Sequence, residues 1–154
     1  YGYLAKLAVE QGVVTEAVEK VVEANTLLSG LGFESSGLAA AHAIHNGFTA
    51  LPETHQAYHG EKVAFGTLVQ MVLENRSRQE LDEVLRFCSE VGLPTCLADL
   101  GVVQASEEKI MQVAATACTA GETIHNEPFK VTSQSVYAAI LATDAIGRSQ
   151  KARL

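Results

Sequence analysis

The sequence predicts an all-α fold, a helical bundle of about six or seven helices. Apolar residues recur at helical spacing along nearly the whole chain, and alternating strand patterns do not. Only two or three residues near Val102 would fit a short strand. Because 47% of the 154 residues are hydrophobic, the chain can fill a core, and we expect one helical domain over residues 1–154.

Capping and breaking residues divide this helical pattern into segments. Thr15 precedes a pattern that extends to Gly30, and a stretch rich in small residues separates that pattern from the one around His42. The Pro-containing stretch at 47–58 has little periodicity and predicts a loop, after which His59 begins the next helix. We expect the later helices to begin at Ser77, Ser106 and Thr132.

Composition excludes several classes of function. The net charge is −7 and no run of Lys or Arg is present, which argues against binding to nucleic acid. No apolar run reaches 18 residues, so we expect no membrane span. The sequence has neither a Gly-x-Gly-x-x-Gly motif nor a P-loop, so it offers no cradle for nucleotide phosphates.

The beginning of the chain and its cysteines bear on its origin. Tyr1 lies directly in a helical pattern without a polar lead-in, and we therefore expect the chain to be a fragment of a longer protein.

The cysteines are odd in number and lack Cys-x-x-Cys spacing, which predicts buried thiols in a reducing, cytoplasmic compartment. They are Cys88, Cys96 and Cys118.

The histidines form the one cluster with the spacing of a metal site. Four of the five fall between residues 42 and 59. His42 and His45 are three residues apart and share roughly one helix face, and His59 begins the helix after the loop. If these two helices pack together, His42 and His59 can reach one ion, and imidazole suits zinc and iron. Spacing alone also allows ordinary core or surface histidines.

A catalytic zinc site usually has three protein ligands and an open position, so two histidines leave one ligand to be found. The nearby carboxylates are candidates, but the spacing of none of them assigns it to the site. They are Glu34, Glu53 and Glu61. From the residues alone, the third ligand therefore stays open.

The segments that carry these histidines resemble glycerol dehydrogenases, which belong to the iron-containing, or group III, alcohol dehydrogenase family. The resemblance is most specific at residues 32–49, GFESSGLAAAHAIHNGFT, and at 58–66, YHGEKVAFG. Residues 122–126, ETIHN, are also similar to a segment of that family. The likeness extends over the whole chain.

This resemblance implies the helical, metal-binding C-terminal domain of a two-domain enzyme whose N-terminal, NAD-binding α/β domain is absent from this chain. It implies that His42 and His59 bind Zn²⁺, with iron possible, and that an Asp upstream of Tyr1 is the third ligand. No catalytic residue beyond these ligands and no cofactor-binding residue is identified in the chain.

Phe33 and His45 are our candidates for substrate binding. Phe33 matches an aromatic residue that lines the substrate pocket in similar enzymes, and its alternative is a core side chain packed under the next helix. His45 lies one turn from His42, where it faces the cleft between the two domains that the resemblance implies or serves packing between helices.

The implied activity is the NAD-dependent oxidation of glycerol and similar vicinal diols to dihydroxyacetone, with the metal as Lewis acid. The implied partners are a small polyol, the missing NAD-binding domain and further copies of the chain in a homo-oligomer. One alternative is a dehydroquinate-synthase-like lyase, although Ile44, His45 and Asn46 depart from the His-Ala-x-Glu run of that pattern. The other is a folded helical fragment, and we expect this chain alone to be inactive.

Overall fold

The computed structural model describes residues 1–153, of which 71% are helical and none forms a strand. The predicted all-α fold is therefore confirmed. The described residues form eight α-helices, of which the second (α2, Glu16–Glu23) and third (α3, Ser29–Ser36) are joined without a break by a π-helical turn at Ala24–Leu28. They therefore make up seven continuous helical segments. The helices are α1 Gly2–Glu10, α2 Glu16–Glu23, α3 Ser29–Ser36, α4 Ala40–Phe48, α5 His59–Leu73, α6 Arg78–Glu90, α7 Glu107–Ala117 and α8 Ser133–Lys151.

One expectation about local structure was wrong. The helix that was expected to end at Gly30 continues to Ser36 and ends at Gly37, which has a φ of +74°. Gly30 lies within the continuous helix, because glycine permits a break without forcing one. The residues near Val102, which would have fitted a short strand, do not form one; Val102 is buried and follows a 3-10 turn at Leu97–Leu100.

The described residues divide into two compact units, the first at 1–37 and the second from residue 38 onward. The first unit consists of α1, α2 and α3, and its buried apolar side chains are alanines: Ala5, Ala8 and Ala17. Most of its large apolar side chains are exposed, among them Leu4, Leu7, Val14, Leu28 and Leu31. This unit therefore buries little apolar surface of its own.

The second unit has α4 at its centre, packed against α5 and α7, and α8 packs against the same two helices. Buried aromatic and branched side chains fill the space between them: Ile44, Phe48, Phe65, Val69, Ile110, Val113, Ile124, Val136 and Ile140. A smaller cluster of Leu68, Leu81 and Leu85 attaches α6 to α5. No helix in residues 1–153 is both long enough and apolar enough to span a bilayer.

Two glycines allow α4 to approach its neighbours very closely. A Cβ atom at Gly66 of α5 would lie 2.5 Å from the carbonyl oxygen of Ala41. A Cβ atom at Gly47 would lie 2.4 Å from the carbonyl oxygen of Val113 in α7. Backbone atoms cannot shift as a flexible side chain can, so both contacts require the missing side chain.

The N-terminus of α4 receives its hydrogen bonds from distant residues. Its N-cap residue, Ala39, has no side chain that can accept one. The amide of Ala40 donates to Glu127 Oε1 at 3.0 Å, and the amide of Ala41 donates to Gln70 Oε1 at 2.9 Å. These bonds satisfy free helix donors and fix α4 relative to α5 and the loop before α8.

The loop between α4 and α5 is held by its own polar groups. The buried Thr54 hydroxyl lies within hydrogen-bond distance of two backbone carbonyls, 2.6 Å from that of Phe48 and 3.0 Å from that of Leu51. Lys62, which is 7% exposed, donates from Nζ to the carbonyls of Thr54 and Ala57 at 3.2 and 3.0 Å. This loop therefore delivers the chain to the start of α5 in a defined position.

The close approach of α4 and α5 at Gly66 can be tested by adding a single methyl group there. We expect Gly66→Ala to lower the free energy of unfolding by about 1–3 kcal/mol, because α4 and α5 must separate to admit the Cβ atom. Gly60→Ala is the matched control on the same helix, where nothing lies within 4 Å of the added Cβ. The control should raise stability slightly, by up to about 1 kcal/mol, through helix propensity.

Urea unfolding of both variants, followed by circular dichroism, measures the difference. Equal stabilities for Gly66→Ala and Gly60→Ala would contradict the close contact between α4 and α5.

Candidate metal centre

The close packing of α4 and α5 brings three histidines together. His42 and His45 lie on α4, and His59 is the first residue of α5. The ring centroids of His42 and His59 are 5.6 Å apart, and those of His45 and His59 are 4.3 Å apart. His42 and His45 are half-buried and His59 is exposed, so the cluster opens to the surface of its unit.

The arrangement of His42 and His59 fits one bound ion. Two imidazoles that share a tetrahedral zinc ion, each with a Zn–N distance of about 2.0–2.1 Å, have ring centres roughly 5 Å apart. The observed 5.6 Å is close to that value. Within residues 1–153, no group of three His, Cys, Asp or Glu side chains is arranged to hold a metal ion. Within this part of the chain the geometry thus fits a pair of histidines on one ion and not a complete three-ligand site.

The carboxylates that lie nearby in the sequence either have partners of their own or belong to the other unit. Glu53 forms an ion pair with Lys109. Glu61 accepts a hydrogen bond from the amide of Tyr58 at 2.6 Å and so caps the start of α5. Glu34 is exposed on α3 in the unit of residues 1–37. Among residues 1–153, none of these three carboxylates therefore forms a three-ligand group with the histidines.

The surroundings of the α4 histidines favour the neutral imidazole. Burial lowers the pKa of His42, and the nearby His59 lowers it further. Burial also lowers the pKa of His45, against a raising effect of its hydrogen bond to Asn46. Metal binding requires the unprotonated ring nitrogen, so these shifts suit a ligand at neutral pH.

A line of hydrogen bonds continues from this cluster to a distant segment. His59 Nδ1 and His45 Nε2 are 3.1 Å apart, and His45 Nδ1 lies 3.0 Å from Asn46 Oδ1. Asn46 Nδ2 donates to Glu122 Oε2 at 2.9 Å. Glu122 directly precedes the short helical turn Thr123–Asn126, so the line joins α4 and α5 to the ETIHN segment.

Comparison with known proteins gives the relatives of this chain. It is 60% identical over 152 residues to a glycerol dehydrogenase of Citrobacter freundii, covering 99% of this chain and 42% of that protein. It is 58% identical over 151 residues to a glycerol dehydrogenase of Thermotoga maritima, covering 98% of this chain and 42% of that protein. The chain is homologous to the glycerol dehydrogenases.

A solved structure agrees with this relationship. The crystal structure of glycerol dehydrogenase from Schizosaccharomyces pombe matches with a TM-score of 0.91 and 44% identity, covering 99% of this chain and 40% of that one. The resemblance seen in the histidine-bearing segments is thereby confirmed. No family model matches the chain. The chain spans about 42% of the length of the curated glycerol dehydrogenases it matches.

The two candidates for substrate binding have different surroundings. Both ring nitrogens of His45 lie within hydrogen-bond distance of Asn46 or His59. Phe33 lies on α3, where its side chain is 61% exposed, so it is not a core residue of the described structure. A role for either residue in binding a substrate of a glycerol dehydrogenase stays a prediction.

Sequence reasoning missed Asn46 and Glu122. Asn46 follows His45 directly, but nothing in the spacing marks it as a partner of a histidine. Glu122 lies 76 residues further along the chain, and only the family-like ETIHN segment drew attention to its neighbourhood. Their contact depends on the packing of the helices, which spacing does not reveal.

The prediction of buried free thiols is confirmed for two of the three cysteines. All three are free thiols, with Cys88 and Cys96 buried and Cys118 half-buried. Burial raises the pKa of each, so the thiols stay protonated at neutral pH and are poor nucleophiles.

The lowered pKa values predict a pH-dependent stability. In the unfolded chain both α4 histidines regain an ordinary pKa near 6.5. As the pH falls through that value, the unfolded state takes up protons before the folded state does, so the free energy of unfolding decreases. We expect His42→Gln to lessen this decrease, because one such group is removed.

Urea unfolding at several pH values between 5.5 and 8.5 measures this difference. Above pH 7.5 the two proteins should show parallel pH dependence, which is the internal control. A wild-type stability that does not change from pH 7.5 to 5.5 would contradict the prediction, as would an identical decrease in His42→Gln.

Proposed function

We propose that this chain is the metal-binding C-terminal part of an NAD-dependent, zinc-dependent glycerol dehydrogenase that oxidises glycerol and similar vicinal diols to dihydroxyacetone. The convergence of His42 and His59 from adjacent helices carries this proposal. The 60% identity to a glycerol dehydrogenase supports the choice of reaction. The same relationship favours it over the dehydroquinate-synthase-like alternative.

His42 on α4 and His59 on α5 would hold the ion. When bound, zinc, or iron in its place, supplies Lewis acidity toward a substrate hydroxyl, and NAD accepts the hydride. His42 is half-buried, whereas the exposed His59 would leave the position open toward solvent. A third ligand, expected to be an Asp, would come from the part of the enzyme that precedes Tyr1.

The partners of this part would be the NAD-binding domain and further copies of the enzyme in a homo-oligomer. The unit of residues 1–37 supports this, because it buries three alanines while most of its large apolar side chains remain exposed. A surface of this kind needs an apolar partner to be stable. Phe33 on α3 belongs to this exposed set, and we propose that it borders the substrate in the assembled enzyme.

The chain by itself would be inactive, because it has no dinucleotide-binding motif and supplies two metal ligands. Such an enzyme, with free thiols and no membrane-spanning helix in the described residues, would act in the cytoplasm.

Substitution of the two histidines in the intact enzyme tests the proposal. We expect His42→Ala and His59→Ala to lose bound zinc and to reduce glycerol-dependent NADH formation by more than about 100-fold, since even outer partners of metal ligands contribute 10–100-fold. His55→Ala is the matched control, because His55 lies between them in sequence and the described hydrogen bond of its ring is to the backbone carbonyl of Thr49.

Zinc content by atomic absorption and NADH formation by absorbance measure the two effects. If both variants kept their zinc and turned glycerol over at the control rate, the metal assignment would be wrong. Glycerol oxidation by the purified 154-residue chain would contradict the proposed need for a second domain.

A further inference from the structure

Hydrogen bonds link Glu122 to Asn46, Asn46 to His45, and His45 to His59. The donor and acceptor of each bond in this line can be assigned. We propose that Glu122, Asn46 and His45 are positioning residues that keep the proton of His59 on Nδ1 and leave the Nε2 lone pair free. Only the use of that lone pair for a metal rests on the proposed function. The placement of the proton does not.

The direction of the line is set at its far end. A carboxylate accepts hydrogen bonds and has none to donate, so the group that faces Glu122 Oε2 must be the amide nitrogen of Asn46, at 2.9 Å. The amide oxygen of Asn46 then points the other way, to His45 Nδ1 at 3.0 Å. Glu122 therefore removes the twofold ambiguity of the Asn46 amide.

The remaining two bonds follow from that choice. An amide oxygen carries no proton, so the hydrogen atom between Asn46 and His45 belongs to His45 Nδ1. With one proton per ring, His45 Nε2 is then an acceptor. The contact of 3.1 Å between His45 Nε2 and His59 Nδ1 needs a donor, which must be His59.

This placement leaves His59 Nε2 without a proton. A histidine can bind a metal only through an unprotonated nitrogen, and the partner of its other nitrogen decides which one that is. Free imidazole exchanges between two tautomers, of which one would block Nε2. The line from Glu122 selects the other tautomer before any ion arrives.

Three variants separate this role from a merely structural one. Asn46→Leu keeps the size of the side chain but removes the acceptor for His45. Asn46→Asp restores that acceptor and places a second carboxylate against Glu122. Asn46→Asp combined with Glu122→Gln restores both: the new amide donates to the new carboxylate, which accepts from His45.

The primary measurement is the ¹⁵N chemical shift of both ring nitrogens of His59 in the metal-free 154-residue chain at pH 8. The wild type should show a protonated Nδ1 and an unprotonated Nε2. Asn46→Leu should show an exchanging mixture, and the double variant should return to the wild-type shifts. In the intact enzyme, zinc affinity should fall 10- to 100-fold in Asn46→Leu and recover in the double variant.

A protonated Nε2 in the wild type would overturn the inference, and so would wild-type shifts in a folded Asn46→Leu. If Asn46→Leu does not fold, the double variant still decides, because it must show the wild-type shifts. The proposed function fails separately: if His42→Ala keeps its zinc while the His59 shifts behave as expected, the metal assignment is wrong and the proton placement stands.

Discussion

The contact between Gly66 and the backbone of Ala41 is the constraint on which the candidate site depends. Residues seven apart on a helix share a face, so His59 lies on the same side of α5 as Gly66. On α4, the same reasoning places His45 one turn beyond Ala41. Once the two backbones meet at Gly66, their histidine-bearing ends are close together, and the ring separations of 4.3 and 5.6 Å follow.

Polar groups then fix what the close contact brings together. Gln70 accepts a bond from the start of α4, and Lys62 holds the loop that leads into α5. A buried ammonium group without hydrogen-bond partners would be costly, and backbone carbonyls supply the partners of Lys62. These groups belong to α5, so one helix both carries His59 and fixes the elements that position it.

The sequence allowed prediction of the helices because their signals are local. His59 begins a helix as expected, and the side chains of Ser77, Ser106 and Thr132 accept the capping bonds expected of them. The end of the helix near Gly30 was misplaced because the same residue type permits both a helix and its end. The metal pair could be proposed from spacing, and the resemblance, not the periodicity, was what singled out His42 and His59 as its expected ligands.

The hydrogen-bond partners of the histidines could not be predicted from the local sequence. Asn46 lies beside His45 in sequence, yet its importance depends on Glu122, and that contact exists only because α4 packs beside the turn at Thr123–Asn126. Long-range side-chain contacts have no periodic signature. They become visible when donors and acceptors are counted atom by atom in the folded chain.

The chemistry of the cluster explains why such a pair would be useful in a dehydrogenase. Two imidazoles bind an ion as neutral ligands, so they leave its positive charge undiminished for a substrate oxygen. One carboxylate from outside this unit would offset part of that charge and still leave a Lewis acid. Histidines that were protonated, or that turned the wrong nitrogen toward the ion, would defeat this arrangement. Burial on α4 addresses the first problem, and the hydrogen bonds from Glu122 address the second.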